Sequence, residues 1–592
     1  MDKALDKTFD GLRETIYRGY LADETEIIQR LLPLAELDAE QTQTVANTAR
    51  ILVEAVRSSG SNAIGIETFL REFKLSTQEG VLLMGLAEAL LRIPDQATAE
   101  QLIRDTFSQG DWQQHVGHGD SFLFNAGTWA LALTGLLVDW HDGGDEKAFA
   151  GIKQMLARSG IHAVRLAITQ ATRLLAERFV MGRSIAEALN RSSTAELYSF
   201  DMLGEAAMTE TAAQAYFAAY REAIDALAGT GNSVSVKLSA LHPRYEFAQR
   251  ERVLAELPPL LLGLARAAQA ANMGLTIDAE ECERLDLSLD VFERIFCHPD
   301  LANYHGLGLA VQAYQKRALP VIDWLAQLAR NYGKPIPLRL VKGAYWDTEI
   351  KRAQVEGLVG YPVFTRKIAT DVSYLACAKR MLLAGDAFVP QFATHNAHTV
   401  AAILTLSDGR HDFEFQRLYG MGEALYSALR IDLKCTVRCR VYAPVGSHEE
   451  LLPYLVRRLL ENGANASFVH RIADPAIAVD TLIADPVAAL RELDVKPHPR
   501  ISLPRHLYAP ERHNSQGMSF ADSAEVSKLV EQVHLALQRQ FVASALIDGQ
   551  SLPIRFVAKV ADSSPGFFQL APNASGFCVA GLSTILWALQ PR

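Results

Sequence analysis

The stretch IPLRLVKGAYW, from Ile336 to Trp346, shows the pattern that decides the fold. It opens with a short apolar run that is typical of a buried strand, passes through Arg339 to Lys342, and is followed by a helical periodicity. Seven more runs of this kind, separated by longer helical stretches, lie between residues 190 and 480: Leu197–Leu203, Val234–Leu238, Gly274–Ile277, Leu307–Gln312, Phe388–Ala393, Glu414–Leu418 and Arg440–Ala443. Eight repeated βα units predict an α/β fold with a parallel sheet closed into a (β/α)8 barrel.

The alternative architecture for repeated βα units is an open, doubly wound sheet. Such a sheet normally carries a G-x-G-x-x-G turn after its first strand, and the chain has none. Gly306-Leu-Gly308 and Gly420-Met-Gly422 both lack the third glycine, and no Walker-type phosphate loop occurs. Any nucleotide cofactor must therefore be held by other means.

The segments on either side of the barrel have a different character. Residues 1–185 show helical periodicity almost throughout, for example in Thr25–Leu37 and Gln41–Ser58. After residue 480 the βα rhythm stops, and residues 481–592 are interpreted as a C-terminal extension, either the incomplete start of a second domain or a tail. We therefore predict a helical region over 1–185, a barrel over 186–480 and an extension over 481–592.

Composition excludes several classes of protein. Hydrophobic residues make up 49% and charged residues 21% of the 592 residues, which is typical of soluble globular proteins. The net charge of −10 lacks the basic excess of a nucleic-acid-binding protein, so no nucleic-acid partner is expected. Six scattered cysteines and an N-terminus without an apolar signal region indicate a cytoplasmic protein.

Two further expectations are negative. The apolar stretches Phe122–Val138 and Ala574–Leu589 are shorter than the roughly 20 residues that a membrane-spanning helix needs, and the first is interpreted as a buried helix. His395 and His398 form a close histidine pair that has no carboxylate at ligand spacing, so no metal site is expected.

Polar residues stand at the ends of all eight predicted strands. The C-terminal strand ends of such a barrel form its active-site mouth. A single polar strand end is ordinary for a solvated loop, but polar groups at every strand end indicate a functional site. These residues are Asp201, Glu205, Lys237, Asp278, Glu280, Glu281, Gln312, Arg339, Lys342, Thr394, His395, Asn396, Gln416, Arg417 and Tyr442.

The segment after the eighth strand carries a second candidate feature. Tyr454, Arg457, Arg458 and Glu461 fall on one stripe of a predicted helix. The stripe is either an ordinary solvent-exposed charged face or a surface that leans over the barrel mouth. In the second case Arg457, Arg458 and Lys237 would clamp a carboxylate, because guanidinium groups bind carboxylates bidentately, and an anionic substrate such as an amino acid is implied.

Two of these residues have other chemical interpretations. Lys237 at a strand end could form a Schiff base if burial lowered its pKa. His395, between Thr394 and Asn396, could be a base or a cofactor contact. The residues alone leave these alternatives open.

Several motifs together closely resemble the proline dehydrogenase barrel of the bacterial proline utilization A family. The resemblance extends at least over residues 180–475 and includes all eight strands in order. It rests on Asp201–Glu205, Ser235–Ser239, Thr276–Glu280, Gln312–Lys316, Leu338–Ile350, Phe392–His398, Tyr442–Gly446 and Tyr454–Gly463.

This resemblance implies a distorted barrel that binds FAD and oxidises L-proline to Δ1-pyrroline-5-carboxylate in proline catabolism to glutamate. Electrons would pass to a membrane quinone, with peripheral contact at the inner face of the cell membrane. The resemblance assigns the proline carboxylate to Lys237, Arg457 and Arg458, the pocket wall to Glu205, Asp278, Tyr345 and Tyr442, and the cover of the ring to Leu418. The flavin contacts it implies are Asp278, Gln312, Arg339, Lys342, Gly343, Ala344, Trp346, Thr365, Lys367, Thr394, His395, Asn396, Glu461, Ser467 and Phe468.

Two departures from the family pattern are visible. The ribbon-helix-helix DNA-binding segment of some members is not found, and no aldehyde dehydrogenase domain follows the region Leu503–Tyr508. We therefore expect proline dehydrogenase activity alone. The competing interpretations are a catalytically impaired remnant or scaffold of a bifunctional protein, and a Schiff-base lyase that uses Lys237.

Overall fold

The structure is a computed structural model of the 592-residue chain. It describes residues 2–58, 93, 95, 97, 98, 101, 102, 180–446, 468–472, 476–538, 545–547 and 550–552. The described chain divides into two compact units, residues 1–516 and residues 517–592. The domain boundaries expected at residues 185 and 480 remain a prediction.

Eight parallel strands form a closed barrel in sequential order, β1 to β8. Their bounds are Leu197–Met202, Ser233–Val236, Gly274–Ile277, Leu307–Gln312, Ile336–Val341, Phe388–Ala393, Glu414–Leu418 and Arg438–Val445. β1 pairs with β8, from Leu197 opposite Arg440 to Met202 opposite Val445, which closes the sheet. The predicted barrel is confirmed, and the open doubly wound alternative is wrong because that sheet would leave two edges unpaired.

The predicted strand bounds differ from the observed ones at three strands. β1 ends one residue early, β2 covers Ser233–Val236, and β8 is longer than its predicted core at both ends. β2 ends at Val236, and the next residue, Lys237, occupies the N-cap position of the short helix Leu238–Leu241. The apolar run therefore continued past the strand, because a buried helix and a buried strand are both apolar.

Helices surround the barrel and connect its strands. Their bounds are Ile185–Arg191, Glu210–Ala226, Leu238–Leu241, Arg250–Ala270, Leu285–Phe296, Ala318–Tyr332, Trp346–Glu356, Lys367–Leu383, Ala397–Leu406 and Glu423–Ile431. Capping side chains mark several starts: Thr209 accepts from the N–H of Ala212, and Asn396 accepts from the N–H of Thr399. The core between strands and helices is apolar and includes fully buried Trp324, Phe200 and Phe392.

Three N-terminal helices, Asp2–Arg18, Glu24–Ala35 and Ala39–Ser58, pack on the outside of the barrel. The third lies against the helices Ala397–Leu406 and Glu423–Ile431, and the second lies against Lys367–Leu383. The helices predicted over 25–37 and 41–58 are thus confirmed. The buried helix predicted over 122–138 and the apolar stretch 574–589 lie outside the described residues.

After β8, the part of the chain that the structure describes forms four α-helices and a hairpin. They are the helices Phe468–Ile472, Val479–Leu482 and Pro486–Glu492 in the first unit, and in the second unit the helix Ser523–Leu537 and an antiparallel hairpin of Ala545–Ile547 and Gln550–Leu552. Among the described residues, no helix combines the length and the apolar character needed to cross a membrane.

Candidate active site

Three charged side chains from neighbouring strands meet at the C-terminal mouth of the barrel. Asp201 lies on β1, Lys237 follows β2, and Asp278 follows β3. The Nζ of Lys237 lies 2.5 Å from Oδ1 of Asp201 and 3.8 Å from Oδ2 of Asp278, and all three residues are buried. Three of the residues that were predicted from strand ends thus interact directly in the structure.

Arg339 on β5 reaches across the barrel interior to the same cluster. Its guanidinium donates to Oδ1 of Asp278 at 2.6 Å, to the Oγ of Ser235 at 3.1 Å and to the Oγ of Ser199 at 3.0 Å. Arg339 is therefore held rigidly by three hydrogen bonds, and its buried Nε–H has no partner among the residues that the structure describes.

Tyr442 on β8 completes the cluster. Its hydroxyl donates to Oδ2 of Asp278 at 2.6 Å, and its ring lies under the Arg339 guanidinium at 5.2 Å. Burial and the nearby carboxylates Asp201 and Asp278 raise the pKa of Tyr442 well above its usual value. The phenol is thus a neutral hydrogen-bond donor that fixes the orientation of Asp278.

The electrostatics of Lys237 decide between its two chemical interpretations. Burial disfavours its ammonium form, but the carboxylates of Asp201 and Asp278 outweigh burial and raise the Lys237 pKa well above its usual value. A Schiff-base lysine needs a lowered pKa to supply a neutral amine. The geometry therefore favours a permanent positive charge at Lys237.

The loop after β5 turns at Gly343, which has a backbone conformation that other residues rarely adopt. Gly343 has φ +137°, and a Cβ at this position would lie 2.4 Å from the ring of Tyr314. The side-chain amide of Gln312 donates to the carbonyl of Glu280 at 2.7 Å and accepts from the N–H of Ala344 at 3.3 Å. Gln312 thus joins the loops after β3 and β5 across the mouth.

Three other residues predicted to contact the flavin, Lys342, Trp346 and Thr365, interact with other residues of the chain. Lys342 is paired with Asp371, and the indole of Trp346 donates to the carbonyl of Phe364 at 2.8 Å. Thr365 uses its N–H and hydroxyl on Glu24, from the second N-terminal helix. These contacts place the residues firmly, and their roles toward a flavin remain predictions.

The strand-six residues lie beside the end of β7. The Nε2 of His395 accepts the backbone N–H of Leu418 at 3.0 Å, so the proton of the neutral ring is on Nδ1. The carbonyl of Thr394 accepts from the hydroxyl of Tyr426 at 2.8 Å, and Asn396 caps the next helix. His395 and Leu418 are therefore neighbours, as expected for residues that share one pocket.

The remaining predicted residues divide into two groups. Glu205 is half-buried and acts electrostatically on Lys237. Tyr345 is buried in the apolar cluster around Tyr314, Lys367 begins a helix, and Phe468 packs on the barrel core. The second group, Arg457, Arg458, Glu461 and Ser467, lies outside the described residues.

Several residues of the site were missed by sequence reasoning. Ser199 and Ser235 lie two positions before Asp201 and Lys237, so the two-residue alternation of a strand places them on the same inward face. That periodicity could have identified them. Glu24 and Asp371 come from distant helices, and no local signal marks them.

No group of three or more His, Cys, Asp or Glu residues in the described part of the chain is arranged to hold a metal ion. The features that could receive a cofactor are instead the Nε of Arg339, which has no partner within the described ranges, the glycine turn at Gly343 and the start of the helix Lys367–Leu383. At that start, Arg366 occupies the N-cap without a capping side-chain hydrogen bond. Exposed N–H groups at a helix start favour a phosphate or another anion.

Three family models match the chain. Residues 184–471 match a model described as proline dehydrogenase, and residues 10–57 match the proline utilization A proline dehydrogenase N-terminal domain. Residues 65–179, nearly all outside the described part, match a model described as the DNA-binding domain of proline dehydrogenase. This match stands against the expectation of no nucleic-acid partner, because net charge averages the whole chain and does not exclude a local DNA-binding segment.

Curated and solved relatives point to the same family. The bifunctional protein PutA of Escherichia coli strain K12 is 46% identical over 92% of the chain and 42% of its own length, and that of Rhizobium meliloti is 46% identical over 88% and 43%. A crystal structure of bifunctional proline utilization A superposes with TM-score 0.69 at 46% identity, covering 89% of this chain and 53% of that one. The chain spans less than half the length of these curated relatives. The chain thus belongs to the proline utilization A family and contains the proline dehydrogenase barrel of that family.

Proposed function

We propose that this chain is an FAD-dependent proline dehydrogenase that oxidises L-proline to Δ1-pyrroline-5-carboxylate. The observation that carries the proposal is the cluster around Arg339. Its guanidinium is held by Asp278, Ser199 and Ser235, and its buried Nε–H has no partner among the described residues. A rigidly held arginine of this kind would suit a cofactor that becomes anionic on reduction, because an unused N–H can donate to the developing negative charge.

The described residues fit FAD at two further places. The start of the helix at Lys367 would offer N–H groups and a positive charge for the diphosphate, and the glycine at 343 would allow the cofactor to approach the backbone closely. The residues that would hold FAD are Asp278, Gln312, Arg339, Lys342, Gly343, Ala344, Trp346, Thr365, Lys367, Thr394, His395, Asn396, Glu461, Ser467 and Phe468. When bound, FAD supplies the hydride acceptor, and the protein supplies alignment and exclusion of water.

The charges of four residues at the barrel mouth bear on how the proline carboxylate would be bound. Lys237 and Arg339 carry two positive charges, and Asp201 and Asp278 carry two negative charges. This group is neutral as a whole and offers little net attraction for an anion. In the proposed clamp, Lys237 therefore needs the help of further cations to bind the carboxylate, and Arg457 and Arg458 are the candidates.

The rest of the proposed pocket is apolar or neutral. Tyr345, Tyr442 and Leu418 would surround the pyrrolidine ring, and Glu205 would close the pocket on the side of Lys237. Lys237 contributes a fixed charge rather than a covalent bond, because its pKa is raised. We further propose that electrons pass to a membrane quinone in the catabolism of proline to glutamate, from a cytoplasmic protein with peripheral membrane contact.

The absorbance spectrum of the purified protein tests the proposal. We expect a flavin spectrum that L-proline bleaches under anaerobic conditions. A flavin spectrum that proline leaves unchanged would refute the activity. Colourless protein that cannot be loaded with FAD would instead support the remnant or scaffold interpretation. Trapping of a carbonyl substrate on Lys237 by borohydride would support the lyase.

The carboxylate clamp has a separate test. Arg458→Met should raise the KM for proline by about tenfold or more while FAD stays bound, because a charge-assisted hydrogen bond is worth about 1.5–3 kcal/mol. Arg430→Met, at an exposed position on the helix Glu423–Ile431, is the matched control and should leave KM unchanged. Equal KM values for the two variants would remove Arg458 from the clamp.

A further inference from the structure

Glu24 lies in the second N-terminal helix, on the outside of the barrel, yet its carboxylate is buried and bonded to a residue of the barrel unit. The side chain is buried, with 7% of its surface exposed. Its Oε1 accepts the backbone N–H of Thr365 at 2.8 Å, and its Oε2 accepts the hydroxyl of Thr365 at 2.9 Å. The two residues are 341 positions apart in the chain. Glu24 thus fixes both the backbone and the side chain of Thr365.

The hydroxyl of Thr365 is also held from a third part of the chain. It accepts the backbone N–H of His498 at 2.7 Å, while the neighbouring Arg366 donates to the carbonyls of Lys496 at 2.9 Å and Pro497 at 3.2 Å. A hydroxyl has one proton to donate, and Thr365 donates it to Glu24. Thr365 is therefore locked between the N-terminal helix and the segment 496–498.

Thr365 is itself one of the proposed cofactor contacts and stands two residues before another, Lys367. The helix Lys367–Leu383 begins two residues after Thr365, and its N-cap has no capping side chain. On the other side, Phe364 accepts from the indole of Trp346 at 2.8 Å and donates its N–H to the carbonyl of Tyr314 at 2.9 Å. A shift at Thr365 would therefore be transmitted both to Lys367 and to the loop that contains Trp346.

We propose that Glu24 is a positioning residue for the FAD site. It holds Thr365, and through Thr365 the start of the helix at Lys367, in the arrangement that binds the cofactor. Lys316 supports the same contact, because its ammonium donates to the carbonyl of Ala22 and keeps the start of the N-terminal helix against the barrel. Loss of Glu24 leaves the buried N–H of Thr365 without its acceptor, which favours a displaced backbone. The inference rests on the proposed function, since it concerns the same FAD site.

The test uses the full chain, stripped of flavin, and titrates FAD by the quenching of its fluorescence. Glu24→Ala should raise the Kd for FAD by about tenfold, the scale of one charge-assisted hydrogen bond. Glu24→Gln should have a smaller effect, because the amide oxygen still accepts from Thr365. Glu26→Ala, an exposed position in the same helical turn, is the matched control and should bind FAD as the wild type does.

Two further measurements separate positioning from a merely structural role. The KM for proline should change by less than about twofold in Glu24→Ala, since the substrate side is not affected. In a double-mutant cycle, Thr365→Val should weaken FAD binding much less in the Glu24→Ala background than in the wild type, because the two residues act as one unit. A lowered melting temperature with an unchanged Kd for FAD, or additive effects in the cycle, would overturn the positioning role.

A readout without flavin distinguishes failure of this inference from failure of the proposed function. Hydrogen exchange in peptides covering residues 361–370 of the flavin-free protein should be faster in Glu24→Ala than in Glu26→Ala. If wild-type protein binds no FAD, the proposed function fails and the positioning role fails with it, whereas the exchange data still decide whether Glu24 holds the segment. Unchanged exchange with normal FAD binding would refute the Glu24 inference alone.

Discussion

Replacement of Lys237 by methionine tests the charge arrangement at the barrel mouth directly. The Lys237 ammonium lies 2.5 Å from Asp201, which is fully buried, and 3.8 Å from Asp278. Methionine keeps most of the apolar stem but removes the charge, so Asp201 becomes a buried carboxylate without its nearest cation. Removal of one partner from a buried ion pair costs about 3–5 kcal/mol. We expect the free energy of unfolding of Lys237→Met to fall by that amount.

Urea unfolding followed by tryptophan fluorescence measures this loss, because Trp324 is fully buried in the barrel unit. The double variant Lys237→Met with Asp201→Asn removes both charges and should recover much of the lost stability. Lys351→Met, at an exposed position on the helix Trp346–Glu356, is the matched control, with an expected change within about 0.5 kcal/mol. The reasoning fails if Lys237→Met costs no more than this control, or if the double variant is no more stable than Lys237→Met.

Two other predictions concern the free energy of unfolding of variants at single residues, Glu349 and Gly343. Burial raises the pKa of Glu349 from 4.5 to about 7, against the hydrogen bond from the N–H of Cys282, so its stabilising contribution is complete below pH 4.5 and is lost as the pH rises through 7. Relative to the wild type, Glu349→Gln should therefore gain about 3 kcal/mol of unfolding free energy between pH 4.5 and pH 8, which urea unfolding at both values checks. Gly343→Ala should lower the unfolding free energy by about 2 kcal/mol or more, because its Cβ would overlap the Tyr314 ring in addition to the cost of a positive φ. Gly333→Ala, also at positive φ but with open space around the position, should lose only about 1 kcal/mol, and equal losses would contradict the overlap.

The parts of the fold that sequence patterns predicted are those that depend on short-range order. Burial on both faces makes each barrel strand a short apolar run, so β3 to β7 have the predicted bounds. The closure of β1 on β8 follows from the number of repeated units. The predicted residues Asp201, Lys237 and Asp278 lie in one cluster, because parallel strands have their C-terminal ends at the same side of the barrel.

The contacts that sequence patterns missed depend on long-range packing. Thr365 is expected to contact a cofactor, which stays a prediction, and its hydroxyl also donates to Glu24 and accepts from the N–H of His498. Glu24 lies in the first turn of an amphipathic helix, where an acidic residue is ordinary and marks nothing. The pairing of Lys342 with Asp371 is of the same kind, since only the packed structure brings the second residue to the site.

The charge balance at the mouth separates the binding of the two ligands. Because the charges of Lys237, Arg339, Asp201 and Asp278 cancel, this cluster can preorganise the site without attracting anions strongly. Substrate affinity then depends on the cations proposed after β8, and cofactor affinity depends on the segment that Glu24 holds. A variant of Arg458 should therefore change the KM for proline with little effect on the Kd for FAD, and a variant of Glu24 should do the reverse. Parallel changes in both constants for either variant would show that the two binding functions share one structural element.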